Sequence, residues 1–343
     1  MKTSNALSVA IVVSSFALAF SAAHAQEDAG PPPVELVSVE RIWDDADHNA
    51  FTDLVRFEGA WYCTFREGDG HVRGDGAIRV LRSADGEEWT SVALLEEESI
   101  DLRDPKLSVT ADNRLMVLIG GSVYEDGAYR GRQPRVSFSS DGAEFTPPQR
   151  ILDEGDWLWR VTWHEGIAYG VSYQPADEGE GTQCVLFRSE DGIEWERVTR
   201  FDIADSPNEV TLRFDEDGAM IALVRRERGD TQAVIGRAEA PYTDWDWNPS
   251  GMRFGGPEFI ILPDGSMWAG GREYGAGGAT TVLAHMTLDT LTPVITLPSG
   301  GDTSYPGMVW HEDELWMSYY ASHEEGKSRI YLARFRFPAD AAE

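Results

Sequence analysis

Residues 81–89 read LRSADGEEW, and two similar stretches, FSSDGAEF and FRSEDGIEW, occupy residues 138–145 and 187–195. Each copy follows a short apolar run and has the pattern Ser-x-Asp-Gly-x-x-aromatic. In such a turn the Asp carboxylate accepts hydrogen bonds from the backbone and Gly takes the left-handed conformation. A turn that recurs in the same surroundings predicts a repeated structural unit, with each copy at a hairpin.

The remainder of the chain consists of short apolar or alternating runs, separated by turn signals such as Glu58-Gly59 and Asp264-Gly265. Six polar or unusual pairs precede such runs at intervals of about 50 residues, which is a repeat length typical of propeller blades. They are His48-Asn49, Arg103-Asp104, Trp159-Arg160, Asn208-Glu209, Gly256-Pro257 and Ser304-Tyr305.

This spacing predicts an all-β protein, a six-bladed β-propeller with four-stranded antiparallel blades, over residues 36–338. Residues 26–35 are expected to form a linker and residues 339–343 a C-terminal tail. Asp85, Asp141 and Asp191 should occupy equivalent outer turns, between the third and fourth strands of blades 1, 2 and 3. Segments 34–43 and 330–335 should share a sheet, because joining the first and last segments removes an exposed edge.

The first 25 residues contain Lys2, an apolar run and an Ala-His-Ala site, as a cleavable secretory signal peptide does. The run is too short to span a bilayer, so we expect cleavage near Ala25 and a secreted or periplasmic protein without a membrane anchor in the mature chain. With 29 Lys and Arg against 59 Asp and Glu, the formal net charge is −30. Such a charge disfavours nucleic acid and anionic membranes as partners. Cys63 and Cys184 are expected to be buried free thiols.

Three further segments are similar to parts of the sialidase (neuraminidase) superfamily, whose six-bladed propellers carry the repeated turn as the Asp box, or BNR repeat. The chain resembles this superfamily over residues 36–338. PNEVTLRFDEDGAMIALVRR (207–226) looks like the sialidase segment that supplies a glutamate and an arginine. GPEFIILPDGSMWAGGR (256–272) resembles the segment that supplies a further arginine, and GDTSYPGMVWHEDELWMSYY (301–320) the one that supplies a nucleophilic tyrosine.

The resemblance implies that Tyr305 is the nucleophile, that Glu209 is its general base, and that Arg225 and Arg272 bind a carboxylate. Sialic acid carries its carboxylate on the anomeric carbon, so a neutral phenol avoids the repulsion that a carboxylate nucleophile would meet. Guanidinium pairs suit carboxylate recognition. The implied function is an exo-acting glycoside hydrolase that removes a terminal acidic sugar from a glycan without a cofactor.

The proton donor of this mechanism is expected in the loop EGDGHVRGDGAIRV (67–80), where Asp75 is preferred over Asp69. Blade 1 departs from the sialidase pattern, since HNAFTDL (48–54) has neither the arginine nor the proline of the Arg-Ile-Pro motif. Arg66 or Arg103 is expected to substitute for the missing arginine. The full set of predicted substrate-binding residues is Arg225, Arg272, Arg103, Asp104, Arg160, His48, Arg66 and His71.

Two alternatives use other residues of the same region. His48 and His71 suit a propeller polysaccharide lyase or glycosidase that acts on uronic-acid-containing polysaccharide, with histidine as the base or acid. Neither the H-x-x-x-H nor the C-x-x-C spacing is present, so no metal is predicted. A non-catalytic glycan-binding propeller is the third possibility, with Trp157, Trp159 and Tyr173 stacking on sugar rings.

Overall fold

A computed structural model describes residues 30–72 and 76–338, and every regular element within them is a β-strand. Twenty-four strands form six antiparallel four-stranded sheets, which are the blades of a six-bladed propeller, as the sequence predicts. Over the same residues we find no helical segment with the length and apolar character needed to span a bilayer. The predicted signal peptide and the C-terminal tail lie outside the described residues.

The blades follow one another along the chain, each running from an inner to an outer strand. Blade 1 contains β2 (His48–Phe57), β3 (Ala60–Gly68), β4 (Ala77–Ser83) and β5 (Thr90–Leu95). Blade 2 contains β6 (Ile100–Val109), β7 (Leu115–Glu125), β8 (Ala128–Ser139) and β9 (Gln149–Arg150). Blade 3 contains β10 (Leu158–His164), β11 (Ile167–Pro175), β12 (Thr182–Ser189) and β13 (Glu196–Arg200).

The second half of the ring has the same plan. Blade 4 contains β14 (Pro207–Phe214), β15 (Met220–Arg226), β16 (Val234–Ala238) and β17 (Asp246–Pro249). Blade 5 contains β18 (Phe254–Ile261), β19 (Met267–Gly275), β20 (Gly278–Met286) and β21 (Leu291–Thr296). Blade 6 contains β22 (Thr303–His311), β23 (Glu314–Ala321), β24 (Arg329–Arg336) and, as its outer strand, β1 (Glu35–Trp43).

The ring is closed by the pairing of the first strand with the last. β1 runs antiparallel to β24, from Glu35 opposite Arg336 to Trp43 opposite Ile330. This confirms the prediction that the two terminal segments share a sheet. Because β1 completes the sixth sheet, neither terminal strand is left alone at the surface as an edge.

The three repeated turns have the same internal geometry and lie between the third and fourth strands of blades 1, 2 and 3, as predicted. In the second copy, Asp141 Oδ1 accepts hydrogen bonds from the backbone amides of Ala143 and Glu144, each at 2.9 Å. Ser139 Oγ accepts from the amide of Gly142 at 2.8 Å, and Gly142 has a φ of 71°. A Cβ atom at Gly142 would lie 1.9 Å from the hydroxyl of Tyr62, so the turn needs glycine for space as well as for conformation.

Each inner strand has a β-bulge near its start, where two of its residues lie opposite a single residue of the neighbouring strand. The register shifts lie between Ala50 and Asp53, Arg103 and Lys106, Leu158 and Val161, Pro207 and Val210, Gly255 and Glu258, and Ser304 and Gly307. Phe51, Asp104, Gly256 and Tyr305 have left-handed backbones at these bulges. A bulge redirects the side chains beside it, and here it turns them toward the axis.

Blade 1 corrects one detail of the sequence alignment. The expected marker there is Asn49, but Phe51 occupies the bulge of this blade. The side-chain amide of Asn49 instead donates to the carbonyls of Ala46 and Ser328, each at 2.9 Å. Asn49 therefore ties blade 1 to blade 6 and does not face the axis.

The blades pack on one another through apolar side chains, with Trp61 of blade 1 lying 4.4 Å from Trp316 of blade 6 between ring centres. Cys63 and Cys184 are free and fully buried, as expected from the sequence. Burial raises the pKa of both thiols, so neither is a reactive thiolate near neutral pH.

Replacing Asp141 by Ala should lower the unfolding temperature and leave ligand binding at the axis unchanged. Hydrogen bonds from the backbone amides of Glu144 and Ala143 hold the pKa of Asp141 below its ordinary value. The Asp141 carboxylate therefore stabilises the folded state at pH values above the ordinary pKa of a carboxyl group. This stabilisation is lost as the pH falls from that value through the lower pKa of the folded state. Thermal unfolding from pH 7 to pH 3 should show the difference between wild type and Asp141→Ala narrowing. Glu144→Ala, at an exposed position of the same turn, is the control.

Candidate active site

Tyr305 and Glu209 meet at the start of the inner strands. The Tyr305 hydroxyl donates a hydrogen bond to Glu209 Oε1 at 2.7 Å, although the two residues come from blades 6 and 4. Glu209 Oε2 accepts from the backbone amide of Gly256 at 2.8 Å. Both side chains are buried, and rings from two further blades, Phe51 and Trp159, lie 5.2 and 5.5 Å from the Tyr305 ring.

Arg225 and Arg272 both lie close to Tyr305. Arg225 Nη1 lies 2.8 Å from each Glu209 oxygen and donates to the Tyr305 hydroxyl at 3.0 Å. The guanidinium carbon of Arg272 is 5.2 Å from the centre of the Tyr305 ring. Among the described residues, Nη2 of Arg225 and Nη1 of Arg272 have no hydrogen-bond partner, and the two side chains are 13% and 14% exposed. Each arginine thus has one donor available for a ligand.

The electrostatics fix the resting protonation of this group. Burial opposes the charge on Glu209, but Arg225 and the hydrogen bonds prevail and hold the pKa of Glu209 below its ordinary value. Burial and the Glu209 charge raise the pKa of Tyr305 well above the ordinary value of a phenol. The resting pair is therefore a neutral phenol and a carboxylate, and the phenolic proton can move to Glu209 only as the tyrosine oxygen bonds to something else.

Several buried polar atoms around this pair have no partner among the described residues. They include Asp104 Oδ1, Trp159 Nε1 and the hydroxyl of Tyr274. Burial raises the pKa of Asp104, opposed by the charge of Arg103. Buried polar atoms are nearly always hydrogen-bonded in folded proteins. Three such atoms without a partner near Tyr305 and Glu209 therefore indicate a place where a polar ligand binds.

His48 and His71 converge on a third residue, Asp302. Asp302 Oδ2 lies 3.2 Å from His48 Nε2 and 2.5 Å from His71 Nδ1. Its other oxygen accepts from the Tyr320 hydroxyl at 2.8 Å and lies 3.4 Å from Arg272 Nη2. Burial alone would raise the pKa of Asp302, but the hydrogen bonds from the two histidines keep it low.

The ligand atoms of His48, His71 and Asp302 lie within 4.8 Å of one another, so this trio has the composition of a metal site. The buried Nδ1 of His48, however, has no acceptor among the described residues. A histidine that binds a metal usually donates its second N–H to such an acceptor. We therefore interpret the trio as hydrogen-bonded, with His48 and His71 as donors to Asp302.

Three of the predicted arginines are engaged within the protein. Arg66 Nη2 lies 2.8 Å from Asp101 Oδ1, with both side chains fully buried, and Arg103 also pairs with Asp101, at 3.3 Å. Arg160 Nη1 lies 2.8 Å from Asp53, and its Nε pairs with Glu258. These buried pairs give Arg66 and Arg160 a role in the fold.

The pairs of Arg160 belong to a charged layer one step further along the inner strands than Tyr305. Asp53 and Glu258 supply the acids, and Lys106 and Arg213 supply further cations. Arg160 also donates to the carbonyl of Pro306 at 3.2 Å. The layer closes the axis beneath the site and joins blades that are far apart in sequence.

Asp75, the predicted proton donor, lies outside the described residues. Three residues of the site were not predicted from the sequence: Asp302, Glu227 and Tyr274. Asp302 lies in the same quoted segment as Tyr305, and Glu227 follows the Arg225-Arg226 pair, where it forms a salt bridge with Arg225. The available signals were the position of Glu227 two residues after Arg225, of Tyr274 two residues after Arg272, and of Asp302 three residues before Tyr305.

No family model and no curated protein matches the sequence. Solved structures do match. A protein of unknown function from Dyadobacter fermentans has a TM-score of 0.79 at 18% identity, covering 90% of this chain and 100% of that one. An α-L-arabinanase of Penicillium chrysogenum, complexed with arabinobiose, has a TM-score of 0.67 at 12% identity, covering 88% and 98%. The sialidase of Trypanosoma rangeli, in complex with the inhibitor DANA, has a TM-score of 0.64 at 13% identity, covering 89% of this chain and 60% of its own.

These likenesses show the fold. The chain is a six-bladed propeller of the kind found in sialidases and in arabinan-degrading enzymes, which confirms the fold implied by the sequence resemblance.

Replacing Arg160 by Met should destabilise the protein by about 3–5 kcal/mol, because Asp53 would lose its buried arginine partner and Glu258 would keep only Arg213. Chemical denaturation at pH 7 measures this loss. Lys106→Met is the control, since it removes a cation of the same layer but leaves both acids paired with arginine. A small loss for Arg160→Met together with weaker ligand binding would contradict a structural role for Arg160.

The control has its own pH dependence. Burial, with repulsion from Arg160, lowers the pKa of Lys106 from 10.5 to about 8. A cation whose pKa is depressed by folding destabilises the folded state below that pKa, and the penalty disappears as the pH rises toward 10.5. Wild type should therefore gain stability relative to Lys106→Met between pH 7 and pH 10.

Proposed function

We propose that the protein is a glycoside hydrolase that releases a terminal acidic sugar, sialic acid or a similar one, from a glycan. The observation that carries the proposal is the contact between Tyr305, Glu209 and Arg225. A tyrosine nucleophile needs a buried phenol that donates its proton to a carboxylate. Here a guanidinium also contacts the phenol oxygen and both oxygens of that carboxylate.

In the proposed mechanism the Tyr305 oxygen attacks the anomeric carbon while its proton passes to Glu209 Oε1. Arg225 Nη1 contacts both groups and stabilises charge on the phenolic oxygen as the proton leaves. We propose Asp75 as the proton donor to the leaving group. The Asp75 carboxylate, left after protonation of the leaving group, then takes a proton from water as the water oxygen attacks the anomeric carbon. The bond between the sugar and Tyr305 breaks, and the phenol recovers its proton from Glu209.

The free donors of Arg225 and Arg272 support an acidic substrate. One guanidinium, of Arg225, contacts the attacking oxygen, and the other, of Arg272, lies over the Tyr305 ring, so we propose that both hold a carboxylate on or near the anomeric carbon. The solved neighbours named for sialidase, arabinofuranosidase and arabinanase activity agree with glycoside hydrolysis on this fold. They differ in the sugar, so the panel of test substrates should include a fluorogenic sialoside, a fluorogenic uronide and a fluorogenic arabinofuranoside.

Replacing Tyr305 by Phe removes one oxygen and keeps the ring packing, so the fold should survive. Turnover of the best substrate should fall by roughly 10²–10⁴-fold, the range typical of losing a group that takes part in proton transfer. Glu209→Gln should do similar harm, and the double variant little more, because the two residues act as one unit. Tyr169→Phe, whose ring packs against Phe214 away from the axis, is the matched control.

The trio of His48, His71 and Asp302 favours a second candidate function. His71 Nδ1 faces Asp302, which leaves the Nε2 of this half-exposed imidazole for a ligand. A histidine held in this way is suited to proton transfer on a uronic-acid-containing polysaccharide, either as a lyase or as a glycosidase.

Replacing His71 by Gln separates the two functions. On the tyrosine mechanism, its effect on turnover should be far smaller than that of Tyr305→Phe, and His311→Gln should have none. Incubation with a uronate polymer, followed by ultraviolet absorbance, detects the unsaturated product that only a lyase makes. A His71→Gln variant that is inactive, beside a Tyr305→Phe variant that is largely active, would decide for the histidine mechanism.

A further inference from the structure

A cleft of about 260 Å³ opens beside the axial site, between blades 2 and 3. Asp104 forms part of its wall, so the cleft is continuous with the group around Tyr305. The cleft is also lined by Tyr129, Arg132 and Trp157, which no step of the proposed hydrolysis uses. Arg132 and Tyr129 belong to β8, the longest strand of the propeller.

Arg132 is the unusual residue of this cleft. Its Nε donates to the carbonyl of Gly155 at 3.0 Å and its Nη2 to the carbonyl of Tyr173 at 3.0 Å, which fixes the plane of the guanidinium. Among the described residues, no carboxylate forms a salt bridge with it, Nη1 has no hydrogen-bond partner, and the side chain is partly exposed. By contrast, Arg103 in the same cleft is paired with Asp101.

The absence of an acid partner is informative because acids outnumber bases about two to one in this chain, with 59 against 29. Most arginines near the axis form a salt bridge with a carboxylate. A fixed guanidinium with a free donor in a cleft is a site for an anion from outside the protein.

Aromatic rings surround this cation. The Arg132 guanidinium carbon lies 4.5 Å from the Tyr173 ring centre and 5.7 Å from that of Trp157. Tyr129 is 53% exposed, one of few large apolar side chains so exposed in the described part of the chain. An exposed ring beside a fixed donor offers a sugar both a stacking surface and a polar contact.

We propose that this cleft is a binding subsite for a second acidic sugar, whose carboxylate is bound by Arg132 and whose ring stacks on Tyr129. The inference rests on the proposed function, because it takes the axial group as the place of the terminal sugar. The sugar in the cleft is then the leaving group. The substrate is an oligosaccharide with carboxylates on at least two adjacent residues, and not a neutral glycan with a single acidic cap.

Binding to a variant that cannot turn over substrate tests the subsite. Isothermal titration calorimetry on Tyr305→Phe uses two pairs of probes: galacturonate with its trimer, and N-acetylneuraminate with the disialyl dimer. In at least one pair the oligomer should bind more tightly than the monomer by about tenfold, which corresponds to one charge-assisted contact. Adding Arg132→Gln should abolish that gain and leave monomer binding unchanged.

Two further variants guard against a purely structural effect. Tyr129→Ala should reduce only the oligomer affinity, since the exposed Tyr129 supports little of the fold. Arg132→Lys keeps the charge and should retain part of the gain. Arg197→Gln, an exposed arginine on the outer strand of blade 3, should change nothing.

The outcomes separate this inference from the proposed function. Equal binding of monomer and oligomer, or an Arg132→Gln effect of equal size on both, would overturn the subsite while leaving the axial proposal intact. If the oligomer binds through Arg132 and its affinity does not fall in the Arg225→Gln variant, the result would support the subsite in the cleft and overturn the proposal for the axial site. Failure of both oligomers to bind would overturn the inference.

Discussion

Arg160 holds the centre of the propeller together. It comes from blade 3, pairs with Asp53 of blade 1 and Glu258 of blade 5, and donates to a carbonyl of blade 6. In a ring whose blades contact mainly their neighbours, these are contacts across the axis. Buried ion pairs contribute little net stability when compared with apolar packing, but a buried acid without its partner is costly. The layer therefore specifies how the inner strands meet, and the site lies on it.

The bulges turn this scaffold into a site. A regular inner strand would direct alternate side chains into the two neighbouring blades, whereas the bulges at Phe51, Asp104 and Tyr305 direct consecutive residues toward the axis. Left-handed conformations at residues other than glycine are strained, and they cluster at functional positions. Tyr305 combines this strained backbone with a buried phenol next to a buried carboxylate. Three unfavourable features coincide at one residue, which is difficult to explain by stability alone.

The sequence was sufficient for the fold because propeller blades are local. The Ser-x-Asp-Gly turn and the six polar pairs each report on a unit of about 50 residues, and periodicity combines them into a ring. The repeat also predicted that the six polar pairs face one pocket, and the resemblance to sialidases implied the pairing of Tyr305 with Glu209, which lie 2.7 Å apart. In blade 1 the predicted marker, Asn49, lies two residues before the bulge. The polar Asn49 fitted the pattern of the other blades, whereas the residue at the bulge is the apolar Phe51.

Side-chain partners from different blades could not be predicted from the sequence in the same way. Arg66 and Arg160 had the composition of ligand contacts, but Asp101 and Asp53 engage them from other strands. Asp302 was missed for the converse reason, because its role depends on His48 and His71 at the other end of the chain. A motif shows which residue types are present, and it cannot show which of them are already neutralised.

The pairing of β1 with β24 has a consequence for how the molecule is made. The strand that completes blade 6 precedes the other strands of the propeller in the chain, and its partner follows them. Until Arg336 is available, the nascent chain can form at most an open arc of blades whose two ends expose unpaired strands. Contacts so distant in sequence form slowly, and unpaired strands are prone to associate with other chains. Closing the ring is then a late step, and the most vulnerable period of this protein is the interval just before it.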